Sequence, residues 1–455
     1  MSKNKKKQEI WDGNVRDAAL TILLTVDKSQ AYSNLLLHQT IEKYKIEAKD
    51  RGLLTELTYG TLQYKLTLDY YLEPFIHGKV DIWVRWLLRM SLYQMHYLTR
   101  IPAHAAVNEA VEIAKRRGHK GIASMVNGIL RSILREGVRS TDLIKDANER
   151  LAVETSHPQW LVNRWVESYG YEQTREMLLE NNIAPLQTVR VNTTKATVEQ
   201  VLTTLEREGV KARRSEFMPE CIHLESGQAA RTGAFRNGLI TIQDESSMLP
   251  AKVLNPQPGM KVLDMCAAPG GKTTHLAEVM KNEGSILATD LHVKKLDLID
   301  ENVARLGLNI IETAPLDGRK AANLLAKESY DAILVDAPCS GLGVMRRKPD
   351  IKYTKREEDL ESLQTIQLAI LNNAVQLLKQ NGRLVYSTCT VDRRENEGTV
   401  QAFLKEHPEM NLEPIENLPE QLKAKQQNGM LQVFPQDIGS DGFFVAAFVK
   451  KGASN

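Results

Sequence analysis

The sequence predicts a multidomain chain in which an all-helical domain is followed by a small α+β module and an α/β domain with a parallel, doubly wound sheet. Apolar residues recur with helical spacing through residues 14–137, where no strand is evident. Beyond residue 243, near-continuous apolar strands alternate with helices, which is typical of a parallel sheet with helical crossovers. We expect one of these helices at residues 320–328, and strands at residues 430–434 and 442–449 that close the sheet as an antiparallel edge pair. A glycine-rich loop follows the first of these strands. We place the domains at 1–140, 141–243 and 244–455.

The composition is that of an ordinary globular protein. Its 455 residues suggest about three domains of about 150 residues each, and 42% of them are hydrophobic. Because the formal net charge is only +2, overall charge does not indicate a nucleic-acid partner, and any such partner must be argued from local patches. The apolar run at residues 18–26 is too short to span a membrane and predicts an amphipathic helix rather than a secretory signal.

The four cysteines are too few and too scattered to form a disulfide framework: Cys221, Cys266, Cys339 and Cys389. No two of them form a C-x-x-C pair, so the sequence also lacks metal-ligand spacing. We therefore expect a reduced, cytoplasmic protein with no metal and no membrane association. Cys221 stands in a short strand with no partner motif, and we interpret it as a small core residue.

The helical domain carries a specific resemblance. Residues 101–115, which begin Ile-Pro-Ala-His, and the run Val-Asn-Gly-Ile-Leu at 126–130 resemble the NusB antitermination-factor fold, an RNA-binding helical bundle. The resemblance implies RNA contact, although such a bundle could equally dock a protein. The basic residues at 115–120 are either a solvated helix end favoured by the helix dipole or a phosphate-contacting patch.

The middle of the chain mixes short strands with helices. The predicted helices are residues 160–169, 171–181 and 198–208, and the predicted strands are residues 188–192 and 221–224. This alternation of short elements predicts a small α+β module of the ferredoxin-like or RRM-like type.

The α/β domain opens with a strand at residues 261–265 and a loop suited to close approach of a ligand: Cys266, Ala267, Ala268, Pro269, Gly270, Gly271 and Lys272. A phosphate-binding P-loop would need glycine in place of Cys266, and Pro269 removes a donor that such a loop would use. The G-x-G-x-x-G pattern of dinucleotide folds is also missing. The loop therefore predicts a nucleoside site without a polyphosphate.

Polar or thiol side chains follow all five predicted strands of this domain. Ligands of doubly wound sheets bind beyond the carboxyl ends of the strands. The glycine loop follows the first strand, and Asp290 follows the second at the spacing of a residue that grips a ribose hydroxyl. The later strands lead to Asp317, to Asp336 with Cys339, and to Cys389. A helix cap explains any one carboxylate, Asp317 above all, but not the whole set. The two cysteines predict a nucleophilic thiol beside a helping thiol.

Three motifs resemble the RNA 5-methylcytosine methyltransferases: Ala-Ala-Pro-Gly-Gly-Lys-Thr at 267–273, Asp-Ala-Pro-Cys-Ser at 336–340 and Ser-Thr-Cys-Thr at 387–390. The resemblance implies a Rossmann-like domain that uses S-adenosyl-L-methionine. With the helical domain included, it points more narrowly to family members that act on bacterial 16S ribosomal RNA, and it then extends over essentially the whole chain.

The resemblance also implies residue roles. Cys389 is the nucleophile that adds to carbon 6 of cytosine, Cys339 helps to resolve the covalent adduct, and Asp336 holds the base. Residues 266–272 face the methionine part of the cofactor, Asp290 faces the ribose and Asp317 faces the adenine. Asp336 contacts the cofactor as well as the base. Cys266 lies in the same loop, and packing is the role we favour for its side chain. Because a paired base could not reach Cys389, the target must be unpaired or flipped out.

Two further segments flank the predicted site. Arg346, Arg347 and Lys348 form a cationic run for which we favour phosphate contacts over a solvated surface. Asn396 and Glu397 resemble family residues that brace the cysteine loop, and capping of a helix is their alternative role.

The sequence thus predicts a cytoplasmic, monomeric enzyme that methylates a cytosine of 16S ribosomal RNA. The same chemistry on transfer RNA is one alternative, which the motifs alone do not exclude. A non-catalytic RNA-binding or antitermination factor is another, which the presence of both Cys339 and Cys389 disfavours.

Overall fold

The computed structural model describes residues 13–29, 33–416 and 418–452. By its internal contacts the chain separates into two compact units, one of Met1–Asn182 with Lys348–Thr354 and one of Ile183–Arg347 with Lys355–Asn455. The domain boundaries at residues 140 and 243 stay predictions. Among the described residues, no helix is both long enough and apolar enough to cross a membrane.

The first unit is helical, which confirms the prediction for residues 14–137, and it also holds the helices predicted at residues 160–169 and 171–181. Its successive helices are α1 (Val15–Ser29), α2 (Ser33–Lys43), α3 (Ala48–Gln63), α4 (Lys65–Leu72), α5 (Ile82–Tyr97), α6 (Ala103–Arg117), α7 (Lys120–Glu136), α8 (Ala147–Thr155), α9 (Gln159–Tyr169) and α10 (Tyr171–Glu180). Apolar stripes of α1, α3, α5, α6 and α7 meet in one core. In the basic cluster at residues 115–120, Arg117 pairs with Asp17 of α1 at 2.6 Å and is largely buried, whereas Lys115 forms an exposed pair with Glu112 at 2.6 Å.

The second unit begins with a four-stranded antiparallel sheet, which we call the small module. Its elements are β1 (Gln187–Val191), α11 (Val198–Arg207), β2 (Ala212–Arg214), β3 (Cys221–Leu224), α12 (Gly233–Arg236) and β4 (Ile240–Ile242), and the strand order is β2-β3-β1-β4. The prediction of β1, α11 and β3 is confirmed. Strands β2 and β4 were not predicted, because three residues are too short to show an alternating pattern.

The larger sheet of the second unit holds nine strands. They are β5 (Lys261–Asp264), β6 (Ser285–Asp290), β7 (Ile311–Pro315), β8 (Tyr330–Asp336), β9 (Leu378–Thr388), β10 (Met410–Leu412), β11 (Gln426–Gln427), β12 (Met430–Val433) and β13 (Phe443–Lys450). The order is β11-β12-β13-β9-β8-β5-β6-β7, with β10 paired to β13. Strands β9, β8, β5, β6 and β7 run parallel, so their carboxyl ends share one edge.

The remaining helices are α13 (Leu249–Leu254), α14 (Gly271–Val279), α15 (Val293–Leu306), α16 (Ile351–Thr354, which belongs to the first unit), α17 (Glu357–Leu377), α18 (Thr399–Glu406), α19 (Glu420–Lys423) and α20 (Pro435–Ile438). A π-helical turn spans Arg394–Gly398. The predicted parallel, doubly wound sheet is confirmed.

The antiparallel pair expected at residues 430–434 and 442–449 is confirmed: β12 pairs with β13, which joins the parallel strands through β9, and the two-residue strand β11 lies outside β12. One detail of the prediction is wrong. The α-helix expected at residues 320–328 is a 3-10 helix over Gly318–Asn323. Asn373 of α17 accepts the Ala322 N–H at 3.0 Å and donates to the Arg319 carbonyl at 2.8 Å, so it takes backbone groups that an α-helix would pair internally.

The segment Lys348–Thr354 completes the interior of the first unit. Lys352 is 1% exposed, and its ammonium donates to Asn182 Oδ1 at 2.9 Å and to the Gln63 carbonyl at 3.3 Å. Burial holds the pKa of Lys352 well below its usual range. The neighbouring Tyr353 hydroxyl lies 3.2 Å from Ser156 Oγ.

Candidate active site

Cys339 and Cys389 meet at the shared edge of the parallel strands. Strands β8 and β9 are neighbours in register Asp336↔Ser387, and the two half-buried sulfurs lie 3.3 Å apart beyond their ends. The hydrogen bond to Cys389 and burial both raise the pKa of the Cys339 thiol well above its usual range. Cys339 therefore keeps its proton at neutral pH, and the Cys389 sulfur can accept it as a hydrogen bond.

Asp336 is held on both of its oxygens. Ser387 Oγ donates to Oδ1 at 2.8 Å, and the Lys272 ammonium pairs with Oδ2 at 2.8 Å. Burial opposes the charge of Lys272, but the Asp336 carboxylate outweighs it and raises the pKa of the ammonium. Lys272 was predicted only as part of the cofactor loop, and the structure places its side chain on Asp336. The sequence holds no signal for this pair, whose members are 64 residues apart.

A buried carboxylate supports the loop that carries Cys339. Glu395, 0% exposed in the π-helical turn, accepts from Ser340 N at 2.9 Å, from Ser340 Oγ at 2.5 Å and from Gln367 Nε2 at 3.0 Å. Burial raises the pKa of Glu395. Sequence reasoning missed this residue, because in the charged run at 393–397 it looks like part of a solvated helix face.

Asn396 supports the Cys389 segment in the same way. Its Oδ1 accepts from Thr388 Oγ1 at 2.6 Å, and its Nδ2 donates to the Thr390 carbonyl at 3.0 Å. These bonds flank Cys389 on both sides, which is the bracing role predicted for Asn396. Glu397 instead pairs with Arg393 at 3.7 Å on the helix surface.

A cavity of about 400 Å³ opens beside the two cysteines. Its polar and thiol lining consists of the predicted residues Cys266, Asp290, Asp317, Asp336, Cys339 and Cys389, together with His292, Lys295 and Arg319. Ala268, Leu316, Pro338 and Ile370 are among the apolar lining residues. The structure thus brings all three predicted carboxylates to one cavity.

The loop at residues 266–272 forms one wall of this cavity through Cys266 and Ala268. The Ala267 N–H donates to the Thr289 carbonyl at 2.8 Å, and the Gly270 N–H donates to the Ala267 carbonyl at 2.7 Å, which closes the turn. Gly270 has φ of +97°, a conformation that favours glycine. Pro269, Gly270 and Gly271 then lead directly into α14.

Asp290 and Asp317, which both line the cavity, differ in how many of their carboxylate oxygens accept hydrogen bonds. Asp290 Oδ1 accepts from the His292 N–H at 3.0 Å, and within the described chain no hydrogen bond reaches its second oxygen. Asp317 caps the 3-10 helix, and both of its oxygens accept from Arg319. The Arg319 hydrogen bonds lower the pKa of Asp317. The capping role considered for Asp317 is therefore present, together with a position on the cavity.

Arg346 and Arg347, for which phosphate contacts were predicted, are both engaged within the protein. Arg346 is 8% exposed and donates to the carbonyls of Gly439 and Ser440 at 2.6 and 2.9 Å. Arg347 pairs with Asp441 at 2.7 Å and with Asp244 at 2.5 Å. Both cations are committed to internal acceptors, so they anchor the segment that follows the Cys339 loop.

Cys221 is buried, as predicted, beside His223 and Glu245, and the three residues each bring one possible ligand atom within 4.8 Å of the others. His223 Nε2 lies 3.0 Å from Glu245 Oε2, and Ser215 donates its hydroxyl to the other oxygen of that carboxylate. Side chains of the protein thus engage both oxygens of Glu245. The expectation of no metal stays a prediction.

Comparison with known proteins decides the family. The model of the 16S rRNA methyltransferase RsmB/F family matches residues 251–449, that of the NusB family residues 13–135, and that of the RsmF/B-like ferredoxin-like domain residues 157–231. A Bacillus subtilis protein named probable ribosomal RNA small subunit methyltransferase B is 52% identical over 443 residues, which cover 96% of this chain and 99% of that protein. The chain belongs to the RsmB/F methyltransferase family.

A further relative and two solved structures are similar to this chain. The ribosomal RNA small subunit methyltransferase B of Salmonella typhi is 35% identical, with 95% of this chain and 98% of that protein covered. The crystal structure of PH0851 superposes with a TM-score of 0.81 at 29% identity and covers 98% of this chain and all of that one. NSun6 from Pyrococcus horikoshii, solved with SFG, gives a TM-score of 0.59 at 25% identity over 65% of this chain and 98% of that one.

Membership in the RsmB/F family confirms the predicted fold classes, namely a NusB-like bundle, a ferredoxin-like module and a Rossmann-like methyltransferase domain. It also confirms S-adenosyl-L-methionine as the cofactor. The small module defined above contains the strands of the ferredoxin-like domain.

Proposed function

We propose that this protein methylates carbon 5 of a cytosine in 16S ribosomal RNA through a covalent bond between Cys389 and the base. The observation that carries the proposal is the pair of sulfurs 3.3 Å apart at the edge of the cavity, next to the Asp336–Lys272 pair. Two adjacent thiols suit a reaction in which one adds to the base and the other helps to release it.

Cys389 would act as the nucleophile. A thiolate is the reactive form, and the Lys272 cation lies close enough to the Cys389 sulfur for the two charges to interact. Attack of Cys389 Sγ on carbon 6 forms a carbon–sulfur bond and pushes the electron pair of the 5,6 double bond into the ring, so that carbon 5 becomes nucleophilic. Asp336, fixed by Lys272 and Ser387, would accept a hydrogen bond from the cytosine amino group and hold the base during this addition.

Carbon 5 then takes the methyl group. S-adenosyl-L-methionine supplies that group on a sulfonium sulfur. Loss of the carbon 5 proton to a base restores the double bond and expels the Cys389 thiolate. Cys339, whose sulfur touches that of Cys389, is positioned to help this release, for example by returning a proton to the leaving sulfur.

The cavity fits the cofactor on two observations of its own lining. Its volume of about 400 Å³ falls within the range of small-molecule pockets. Asp290 keeps one carboxylate oxygen without a partner in the described chain, which suits the ribose hydroxyls. We propose that residues 266–272 face the methionine part and that Asp317, shared with Arg319, faces the adenine. Asp336 borders the same cavity, where the base and the cofactor would meet.

The names of the relatives support ribosomal RNA as the substrate, since both the Bacillus subtilis and the Salmonella typhi proteins are named for the small subunit. Transfer RNA with the same chemistry is the nearest alternative. A non-catalytic RNA-binding or antitermination factor would not need two thiols in contact at the edge of a cavity.

The test compares wild-type protein, Cys389→Ala and Cys339→Ala on 16S ribosomal RNA that lacks the modification, with labelled S-adenosyl-L-methionine. Methyl transfer is counted, and protein–RNA adducts are separated on a denaturing gel. We expect Cys389→Ala to be inactive without an adduct and Cys339→Ala to accumulate one. Cys221→Ala is the matched control, since that cysteine lies apart from the cavity lining.

Three results would contradict parts of the proposal. Methylation by Cys389→Ala would exclude that residue as the nucleophile. Methylation at a position other than carbon 5, read by nucleoside mass spectrometry, would exclude the chemistry. Activity of wild-type protein on transfer RNA but not on 16S ribosomal RNA would exclude the substrate.

A further inference from the structure

Arg190 is a fully buried cation that the reaction above does not use. It lies on β1 of the small module and is 0% exposed. Its Nε and Nη2 donate to the two carboxylate oxygens of Glu278 at 2.8 and 2.9 Å, and Nη2 also donates to Thr274 Oγ1 at 3.0 Å. Its Nη1 donates to the Gly271 carbonyl at 2.8 Å and to Gln243 Oε1. All five guanidinium N–H groups therefore have acceptors.

Most of these acceptors belong to one helix. Gly271, Thr274 and Glu278 lie on α14, and Gly271 is both the first residue of that helix and the last glycine of the cofactor loop. A guanidinium removed from water is stable only when its charge and donors are matched, so the fork of Arg190 is held tightly by Glu278. The same rigid fork then fixes the position of the Gly271 carbonyl.

The position of the Gly271 carbonyl affects the conformation of the cofactor loop. It belongs to the peptide that joins Gly271 to Lys272, and two successive glycines give this stretch more backbone freedom than any other pair of residues would. Two side chains donate to that carbonyl, Arg190 at 2.8 Å and Thr274 of the same helix at 3.1 Å. Arg190 is the donor that comes from outside the loop and its helix, and it restricts this freedom at the start of Lys272, whose ammonium pairs with Asp336.

A second link joins the small module to the same loop. Asn302 Nδ2 donates to the Pro269 carbonyl at 3.2 Å, and Arg305 Nη2 donates to Asn302 Oδ1 at 2.9 Å. Arg305 Nη1 in turn donates to the carbonyls of Phe235 and Ile240, in the small module, at 3.0 and 2.8 Å. The module thus reaches two carbonyls of the loop, Gly271 directly and Pro269 through α15.

We propose that Arg190 is a positioning residue for the cofactor: it holds the Gly271 carbonyl and so fixes the loop in the conformation that receives S-adenosyl-L-methionine. The small module is then part of the cofactor site and not only an RNA-facing domain. The proposal rests on the proposed function, because it assumes that the cavity beside the loop receives the cofactor.

The first variant is Arg190→Lys, which keeps the charge but loses the fork. We expect the Kd and KM for S-adenosyl-L-methionine to rise by about 10- to 10²-fold, the change in affinity that corresponds to losing one hydrogen bond from a charged group. The KM for RNA should stay unchanged. Asn192→Ala is the matched control, because Asn192 is equally buried two residues along and bridges Gly238 to Leu306 at 3.1 Å without touching the loop.

The second variant separates positioning from stability. Arg190→Met with Glu278→Leu replaces the buried ion pair by apolar side chains, an exchange that is often neutral or stabilising. We expect its unfolding midpoint to stay near that of the wild type, while isothermal titration with S-adenosyl-L-methionine still shows weakened binding, because the Gly271 carbonyl has lost the Arg190 donor and keeps only the Thr274 hydroxyl, at 3.1 Å, as a side-chain donor. Cofactor affinity equal to that of the wild type would overturn the role of Arg190.

Titration of Asp290→Ala with S-adenosyl-L-methionine distinguishes a failure of the Arg190 inference from a failure of the proposed function. If wild-type protein binds S-adenosyl-L-methionine and Asp290→Ala does not, the cofactor occupies the cavity and the Arg190 result decides the inference. If Asp290→Ala binds as tightly as the wild type, the proposed cofactor site is wrong and the role of Arg190 falls with it.

Discussion

The sulfurs of Cys339 and Cys389 lie 3.3 Å apart although 50 residues separate them in the chain. Parallel pairing of β8 with β9 places the two strand ends side by side, and the Glu395 and Asn396 hydrogen bonds hold the loops that follow. The hydrogen bond to Cys389 and burial raise the pKa of Cys339, so this thiol keeps its proton at neutral pH and can donate it to the Cys389 sulfur. A protonated thiol in this position suits the proposed role of Cys339 in releasing the adduct.

Lys272→Met tests the ion pair on Asp336. The substitution keeps most of the aliphatic side chain but leaves Asp336 with Ser387 as its one remaining described partner, so the carboxylate loses its orienting charge. We expect kcat to fall by about 10²–10³-fold, the usual cost of removing one electrostatic group from a reacting centre, with RNA affinity little changed. Single-turnover methyl transfer measures the effect. Lys379→Met, which breaks the more exposed pair with Asp331, is the control and should keep wild-type kcat.

Asp264→Asn should remove a pH dependence of stability. Burial raises the pKa of Asp264 to about 7, although the Thr273 hydroxyl donates to Oδ2 at 2.7 Å. The folded state therefore binds a proton that the unfolded state has released, and the free energy of unfolding falls as pH rises from about 4 to about 7. Chemical denaturation at several pH values should show the free energy of unfolding of Asp264→Asn rising relative to that of the wild type between about pH 4 and pH 7. Above pH 7 the difference between the two should stay constant. A difference that did not change with pH would contradict the shifted pKa.

Gly343→Ala should disturb the Cys389 segment by steric collision. A Cβ at Gly343 would clash with the Gly442 carbonyl and lie 2.8 Å from the Cys389 carbonyl, which the Gly343 N–H now contacts at 3.0 Å. We expect a large loss of methyl transfer and a lower unfolding midpoint. Gly128→Ala, in the interior of α7 with nothing within 4 Å of the new Cβ, should instead stabilise by up to about 1 kcal/mol. Wild-type activity of Gly343→Ala would show that the segment tolerates displacement.

Arg347→Ala distinguishes an anchoring cation from a phosphate contact. Its removal leaves the carboxylates of Asp441 and Asp244 without their cation; because the Arg347 side chain is 30% exposed, we expect a loss of stability below the about 3–5 kcal/mol typical of a fully buried pair. Urea denaturation should show this loss, whereas the slope of RNA affinity against salt should not change. Lys423→Ala, which breaks an exposed pair with Glu420, is the control and should be nearly neutral. A salt slope reduced by about 1 would restore the phosphate role.

The sequence could predict the parts of the site that strand ends provide. In a parallel sheet the carboxyl ends meet at one edge, so Asp290, Asp336 and Cys389 were expected together before any coordinates, and the structure brings them to one cavity. The apolar residues of α5, which recur with the 3.6-residue period of a helix, likewise predicted a helix with a buried face. Local periodicity was sufficient in both cases.

Buried charges could not be predicted, because each depends on a partner that is distant in sequence. Arg190 meets Glu278 across 88 residues and Arg347 meets Asp441 across 94, and before folding both arginines look like surface residues. The burial of Glu395 could not be predicted for the same reason, because its partner Ser340 is 55 residues away in sequence. The structure thus added the supporting network, whereas the sequence had indicated the reacting groups.

Lys352 and Tyr353 also constrain the order in which the chain can be built. Domains generally fold as they leave the ribosome, N-terminal ones first. The first unit, however, lacks part of its own interior until Lys348–Thr354 has been synthesised, and by then strands β1 to β8 have already been made. Strands β9 and β13, which complete the sheet, follow only afterwards. The helical unit and the methyltransferase sheet are therefore expected to mature at nearly the same time during synthesis, and a nascent chain that stops before residue 354 should leave both unfinished.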